Sequence, residues 1–429
     1  MRSNRKQKIS KLGLLVWSCC LIFYLYEFFL RTFIGTLAKQ IVTDLSLTAE
    51  LFSVMGAAYY VTYGLMQIPV GYLVDKFGAK KTVVFAFLLC SASVLMFAFS
   101  TGFVMGLIAR LLMGLGSSFG FVSLLIVITN WFAQPLHATF IAWSQFIGTL
   151  GPLLAAGPLT NLMHGLNLGW RALLIRISIV GFVLSFLFMF LIRTRTRSHN
   201  TADIVVLSRP QNMISQLAVL FKNQQAWMVA IYCALAYETI DYLGSTWGTY
   251  FLGARNLSLT EAGYCISAGW LGFAVGCPLT TMISEAMHRR KPMLVLCSMI
   301  GLFSSFFMIY VPLPFYWLYV GVFFFIGLST SVLNLGIAMI IEHVDISVKA
   351  LALGFNNGMI ILMGAILPIG TSFFIYLPQN QPSKPQDFFV GFSVIPVMYF
   401  LATILAIFFI KETYCKPQKG LLRVKSNLI

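Results

Sequence analysis

Charge is what this chain has least of. Only 10% of its 429 residues are Asp, Glu, Lys or Arg, against 59% hydrophobic, and the mean hydropathy is +0.86. That balance excludes an ordinary soluble domain. Acids are scarcer still, 13 against 29 Lys and Arg, so each acid inside an apolar run carries information. The formal charge of +16 does not describe a nucleic-acid binder, because the bases fall in short runs between apolar segments instead of gathering on one face. No G-x-x-x-x-G-K-[ST] loop is present for ATP and no H-E-x-x-H for a metal, and His137, His164, His199, His288 and His343 are dispersed. Hydrolysis and phosphoryl transfer are therefore not expected, no cofactor is implied, and the chain reads as a non-enzyme. The eight cysteines contain no C-x-x-C pair and read as small apolar packing residues, with neither a zinc site nor a disulfide framework.

What the chain has instead is apolar runs of membrane-spanning length. A helix needs about 20 mostly apolar residues to cross the hydrocarbon core, and charged or Pro/Gly-rich breaks divide the sequence at 12–37, 49–74, 82–100, 102–132, 137–164, 170–192, 226–253, 261–286, 292–311, 314–341, 348–376 and 387–410. The expectation is an all-α integral membrane protein with twelve transmembrane helices. The first run follows a basic start, as a signal peptide does, but it is longer than a signal's apolar core and carries Glu27 and Arg31. It reads as the first span.

Lys and Arg set the orientation. The N-tail, Lys76, Lys80 and Lys81, the bases between the sixth and seventh spans, Arg289 to Lys291, and the C-tail share one side. Lys39, Arg171, Arg255 and Lys384 fall on the other. Both termini are expected to be cytoplasmic. The domain reading is an N-tail at 1–11, a six-helix bundle at 12–192, a cytoplasmic central loop at 193–225, a second bundle at 226–410 and a C-tail at 411–429. The halves echo each other. Tyr26-Glu27 recurs as Tyr237-Glu238, and Asp75 with Lys80-Lys81 recurs as Glu285 with Arg290-Lys291 at nearly the same offset.

The stretch Gly71 to Lys81 reads Gly-Tyr-Leu-Val-Asp-Lys-Phe-Gly-Ala-Lys-Lys. Gly71, Asp75, Lys76, Gly78, Lys80 and Lys81 match the Gly-x-x-x-Asp-[Arg/Lys]-x-Gly-x-[Arg/Lys]-[Arg/Lys] block after a second transmembrane helix, which resembles the loop motif of the major facilitator superfamily of transporters. Arg110, Gly114, Gly116 and Gly120 resemble the family's Arg-x-x-x-Gly-x-Gly-x-x-x-Gly block. Gly148, Gly151, Pro152, Gly157 and Pro158 loosely resemble the Gly-Pro motif of its proton-coupled antiporters, although a kinked helix explains them equally well. The resemblance implies two pseudo-symmetric six-helix bundles working by alternating access, with the first, fourth, seventh and tenth helices facing one solute site. It also implies a cytoplasmic gate at Gly71 to Lys81, echoed at Glu285 and Arg290, and a possible proton-transfer role for Arg110.

Six charged residues lie within the expected spans away from their ends: Glu27, Arg31, Arg110, Arg176, Glu238 and Asp241. Each costs about 2.5–3.5 kcal/mol at a helix centre on insertion scales, so such residues face protein or water and mark a pathway. Glu27 and Glu238 lie about 15 Å from their helix ends, near the midplane. Glu27 and Arg31 share a face with Tyr24, and Glu238 and Asp241 share one with Ser245. A purely structural salt-bridge cluster is the bland reading. Three carboxylates set against Arg31 and Arg110 favour proton or cation traffic instead, with Glu238, Asp241 or Glu27 as the carrier. Arg31 either pairs with Glu27 or binds a carboxylate or phosphate on the solute. Arg176 snorkels. Ser117, Ser118, Ser329, Thr330, Asn334, Asn356 and Asn357 are cavity candidates by family analogy, or helix-helix glue.

The expected function is proton-coupled symport of a small polar organic solute such as an amino acid, peptide or organic acid. The alternatives are a proton-coupled antiporter exporting a drug-like or siderophore-like compound, and a non-transporting sensor. The expected partners are the solute, protons and the lipid bilayer, with no nucleic acid. The expected setting is a monomer in a bacterial inner membrane.

Overall fold

The structure is a computed structural model describing residues 10–193, 213–345, 348–377 and 383–416. All regular structure among these residues is helical, and the chain divides into two units, Met1–His199 and Asn200–Ile429. In the first unit the elements are α1 (Lys11–Thr36), α2 (Ala38–Asp44), α3 (Ala49–Phe77), α4 (Ala79–Ala98), α5 (Phe103–Ser117), α6 (Phe119–Trp131), α7 (Gln134–Leu154), α8 (Gly157–Gly165) and α9 (Trp170–Leu191). In the second they are α10 (Met213–Phe221), α11 (Gln224–Tyr242), α12 (Gly248–Ala254), α13 (Leu259–Ala286), α14 (Lys291–Tyr310), α15 (Tyr316–Thr330), α16 (Leu333–His343), α17 (Lys349–Ser372), α18 (Gln386–Phe392) and α19 (Val394–Ile404).

Helix starts follow from capping side chains that accept from otherwise orphaned backbone N–H groups. Ser10, Thr48 and Asn223 cap α1, α3 and α11 in this way. Ser258 and Glu261 form a reciprocal capping box at α13.

Among the described residues, nine helices are long and apolar enough to cross a membrane, or up to eleven if each of two bent pairs counts as one span. The remaining expected span, 226–253, is helical across α11 and α12 but too polar to qualify by composition. It also contains a π-helical turn, Leu243–Trp247, that the sequence reading did not anticipate. The fourth and tenth expected spans are each broken near the middle. Ser118 separates α5 from α6, and Ser331-Val332 separates α15 from α16. The fifth bends by 44° between α7 and α8.

The Gly71 to Lys81 hairpin is tighter than the expected gap between 74 and 82. α3 continues to Phe77 and α4 begins at Ala79, so Gly78 alone makes the turn with φ 81 and ψ 151. That region is essentially open only to glycine. Gly78→Ala is expected to destabilise the protein by about 1–3 kcal/mol, read as a lower denaturation midpoint in detergent. Gly71→Ala is expected to change it little, because a Cβ there meets nothing within 4 Å.

Two of the expected loop and tail segments carry structure of their own. The central loop 193–225 contains α10, whose Phe221 packs with Trp227 and Phe355. Its residues 194–212 lie outside the described set, as do 1–9 and 417–429 with the bases they carry. The C-tail does not begin free at 411, because Lys411 N–H donates to Gln225 Oε1 at 2.9 Å. Two of the bases expected on the opposite side turn out to be helix caps. Arg171 donates to the Ala98 and Ser100 carbonyls at the end of α4, and Arg255 donates to the Ile309 carbonyl near the end of α14. Each satisfies carbonyls that a helix C-terminus leaves over and complements its negative dipole end.

Candidate functional site

In the first unit the expected residues converge through tyrosines of α3. Glu27 is fully buried on α1, and its Oε2 accepts a hydrogen bond from the Tyr59 hydroxyl at 3.0 Å. The Tyr59 ring centroid lies 4.7 Å from the guanidinium carbon of Arg110, which is fully buried on α5. Arg110 Nη1 donates to the Leu30 carbonyl at 2.9 Å. Tyr59 thus touches both the acid and the arginine. Room for the acid comes from Gly120 on α6, where a Cβ would stand 3.0 Å from Glu27 Cγ.

Arg31, one turn beyond Glu27, sits in an aromatic box. Its guanidinium carbon lies 4.5 Å from the ring centroid of Phe28, 5.2 Å from Tyr63 and 5.9 Å from Tyr60. Tyr63 stacks on Tyr59 with centroids 6.0 Å apart, joining the box to the Glu27 and Arg110 contacts. Tyr24 meets Phe28 edge-on at 4.8 Å, and its hydroxyl donates to Gln145 Oε1 on α7. A Cβ at Gly148 would fall 2.3 Å from the Tyr24 ring, and one at Gly151 would fall 2.3 Å from the Leu25 carbonyl. The glycines that loosely resemble an export motif therefore let α7 approach α1. Ring faces favour a cation and shield the guanidinium plane, while the N–H groups along its edge suit a planar carboxylate.

The sequence reading missed Phe28, Tyr59, Tyr60, Tyr63 and Gln145. A signal was available for three of them, because Tyr-Tyr-x-x-Tyr places phenols one helical turn apart within an apolar run.

In the second unit Glu238 and Asp241 are buried on α11, directly ahead of the π turn. Ser245 lies within that turn, buried, and its Oγ has no hydrogen-bond partner among the described residues. π turns widen the backbone ladder and recur at functional sites. The Tyr242 hydroxyl ties this region to Thr371 of α17 at 2.8 Å. Asn334 is half-buried near the start of α16, beside the break at Ser331-Val332. Of the other small polar candidates, some join helices and some turn back on their own. Ser329 Oγ pairs with the Tyr399 hydroxyl at 2.8 Å, and Thr330 and Ser118 bond back to carbonyls of their own turns. Arg176 on α9 is exposed. The units thus differ in kind, with two buried arginines beside one carboxylate in the first and two buried carboxylates at the π turn in the second.

The gate residues divide. The Asp75 side chain lies outside the described set, although its backbone is helical. Lys76 Nζ lies over the Tyr72 and Phe77 rings at 5.7 and 5.4 Å, and Lys80 and Lys81 lie at the start of α4. In the second unit Glu285 is exposed, and Arg290 pairs instead with Glu342 at the end of α16, at 3.1 Å. Arg290 Nη1 also reaches Ser284 Oγ at 3.3 Å. Another acid at this end is Glu412, whose carboxylate accepts from the backbone N–H groups of Arg290 and Lys291 at 2.9 and 3.0 Å. Thr413 donates its hydroxyl to Glu342, and burial pushes the nearby Cys415 thiol up. These acids are distant from Arg290 in sequence, so the positional echo of Asp75 pointed to Glu285 instead.

The chain's residues 19–368 match the family model described as Major Facilitator Superfamily. The chain is 23% identical over 288 residues to the hexuronate transporter of Bacillus subtilis (strain 168), covering 64% of this chain and 66% of that protein. It is 24% identical over 330 residues to the probable L-galactonate transporter of Escherichia coli (strain K12), covering 72% of this chain and 70% of that one. A crystal structure of a D-xylose-proton symporter superposes with a TM-score of 0.76 at 14% identity, covering 94% of this chain and 99% of the other. The chain spans about two-thirds of the length of these sequence relatives.

Proposed function

This chain belongs to the Major Facilitator Superfamily, and from that premise we propose that it carries a small organic acid across the membrane by alternating access, coupled to protons. The observation that carries the reading is Arg31 held between Phe28, Tyr60 and Tyr63 one turn from Glu27. An arginine shielded on its faces and buried beside a tyrosine-held acid suits one carboxylate of a solute better than a neutral sugar. The names of the sequence relatives support the class, since hexuronate and L-galactonate are both carboxylates. In this reading Tyr24, Glu27, Arg31 and Arg110 form the anion side of the pathway. Glu238 and Asp241, with Ser245 in the adjoining π turn and Asn334 on α16, form its proton side. Import is preferred to export because Gly148 and Gly151 are accounted for by α1 packing. The protein works as a monomer in a bacterial inner membrane with both termini cytoplasmic.

The test is uptake of labelled uronates, aldonates and aldarates into proteoliposomes, with the lumen made alkaline or matched in pH. Uptake of at least one carboxylate, enhanced by the gradient, is expected. Transport confined to neutral solutes, or indifferent to the gradient, would discard the reading. Asp75 is proposed as a gate residue that does not touch the solute. Asp75→Asn is expected to slow turnover while solute affinity stays within about threefold, since a distant substitution leaves binding contacts in place. Equilibrium binding beside initial uptake rates separates the two.

A further inference from the structure

A groove of about 550 Å³ opens on the second unit where α14 begins. One end is basic, with Arg289 and Lys291, and the rest is an apolar floor running along one face of α14 through Pro292, Val295, Leu296 and Met299. We propose that this groove binds an anionic phospholipid, its phosphate on Arg289 and Lys291 and the start of an acyl chain along Val295 to Met299.

The geometry supports this at both ends. α14 is 20 residues long, about 30 Å, which matches the hydrocarbon thickness and puts its first turn at headgroup level. From Pro292 to Met299 the helix rises about 10 Å, enough for the glycerol and the first methylenes. Leu296 is 51% exposed and Met299 40%, so the floor is open to lipid. Both cations are held in place. Lys291 Nζ donates to the Ile407 carbonyl at 2.6 Å, and the Arg289 guanidinium carbon lies 5.9 Å from the Tyr414 ring centroid. Glu412 is the acid lining the groove, and its carboxylate is occupied. Oε1 accepts from the N–H groups of Arg290, Thr413 and Tyr414 at 2.9, 2.9 and 3.1 Å, and Oε2 accepts from that of Lys291 at 3.0 Å. Glu412 therefore takes the α14 N-terminus for itself, and Arg290 is turned to Glu342. The side chains offered to the headgroup are Arg289 and Lys291, two positive charges against the one negative charge of Glu412. Clustered bases at the membrane surface select anionic over zwitterionic lipid.

The test titrates the purified, delipidated full-length protein with phosphatidylglycerol or phosphatidylcholine of matched acyl chains, reading bound lipid by native mass spectrometry. Wild type is expected to bind phosphatidylglycerol about tenfold more tightly. Arg289→Glu is expected to erase that preference while leaving phosphatidylcholine binding unchanged. Met299→Trp, which fills the apolar end, is expected to weaken both lipids. Lipid-free denaturation midpoints equal to wild type identify variants that remain folded. Equal wild-type affinity for the two lipids, a preference undiminished in Arg289→Glu, or a Met299→Trp variant that binds both normally overturns the proposal.

Discussion

Glu238→Gln and Asp241→Asn, tested singly, are expected to uncouple transport from the proton gradient in at least one case. A one-unit gradient sustains about tenfold accumulation at one proton per solute, because 1.4 kcal/mol is a factor of ten in an equilibrium ratio. In the uncoupled variant that ratio falls to about one, while exchange of internal for external solute continues. The expectation rests on position. Both acids are buried on α11, three residues apart and so on one face, immediately before the π turn Leu243–Trp247. Burying two like charges a helical turn apart is costly, and a proton bound to the pair relieves it. The adjoining turn has a loosened backbone ladder, so a change of charge there has a compliant segment on which to act. Accumulation measured against counterflow makes the distinction. Full accumulation in both variants would remove these residues from the proton path, and loss of counterflow as well would make their role structural.

Arg31→Ala is expected to weaken binding of a carboxylate solute by about a hundredfold or more, in the range found when one partner of a buried hydrogen-bonded charge pair is truncated. Arg31→Lys should recover part of the loss, since it restores the charge without the planar fork. The rival role, in which Arg31 serves only Glu27, makes a different prediction. Under it, Arg31→Ala damages the fold, Glu27→Gln repairs the damage in the double variant, and a solute and its uncharged amide lose affinity equally. Calorimetric titration with the acid and its amide separates the two, because solute recognition by Arg31 predicts a loss confined to the acid. The aromatic box adds a control. Tyr63→Phe keeps the ring 5.2 Å from the guanidinium carbon and removes the hydroxyl, so it should cost far less than the loss of Arg31.

Most of the membrane architecture was legible in the sequence. Span positions follow from local hydropathy, and their ends from charged or capping residues within a few positions, so they agree with the observed helices apart from the extended α3, the additional helices α2 and α10, and the breaks or bends inside the fourth, fifth and tenth spans. The buried charges were legible for the same reason, because an ionisable residue stands out against an apolar run wherever it points. The glycine at the α3–α4 turn was legible as a motif position, and the structure adds that it bears a positive φ.

The partners of those charges were decided only by the tertiary structure. Tyr59 reaches Glu27 across 32 positions, Tyr24 reaches Gln145 across 121 and Arg290 reaches Glu342 across 52. No local pattern encodes such a pairing, because it depends on which faces of two helices meet after packing. The second unit shows the consequence, since the repeat offset pointed to Glu285 while Arg290 pairs with Glu342. The π turn beside Asp241 was hidden for a related reason. α11 is buried on nearly every side, so its sequence carries no polar face whose phase would reveal one residue wound in excess. Sequence alone thus determined which segments enter the membrane and which charges go with them, since both depend on each residue's own transfer free energy. Tertiary structure decided what each charge touches, since that depends on the packing of segments far apart in the chain.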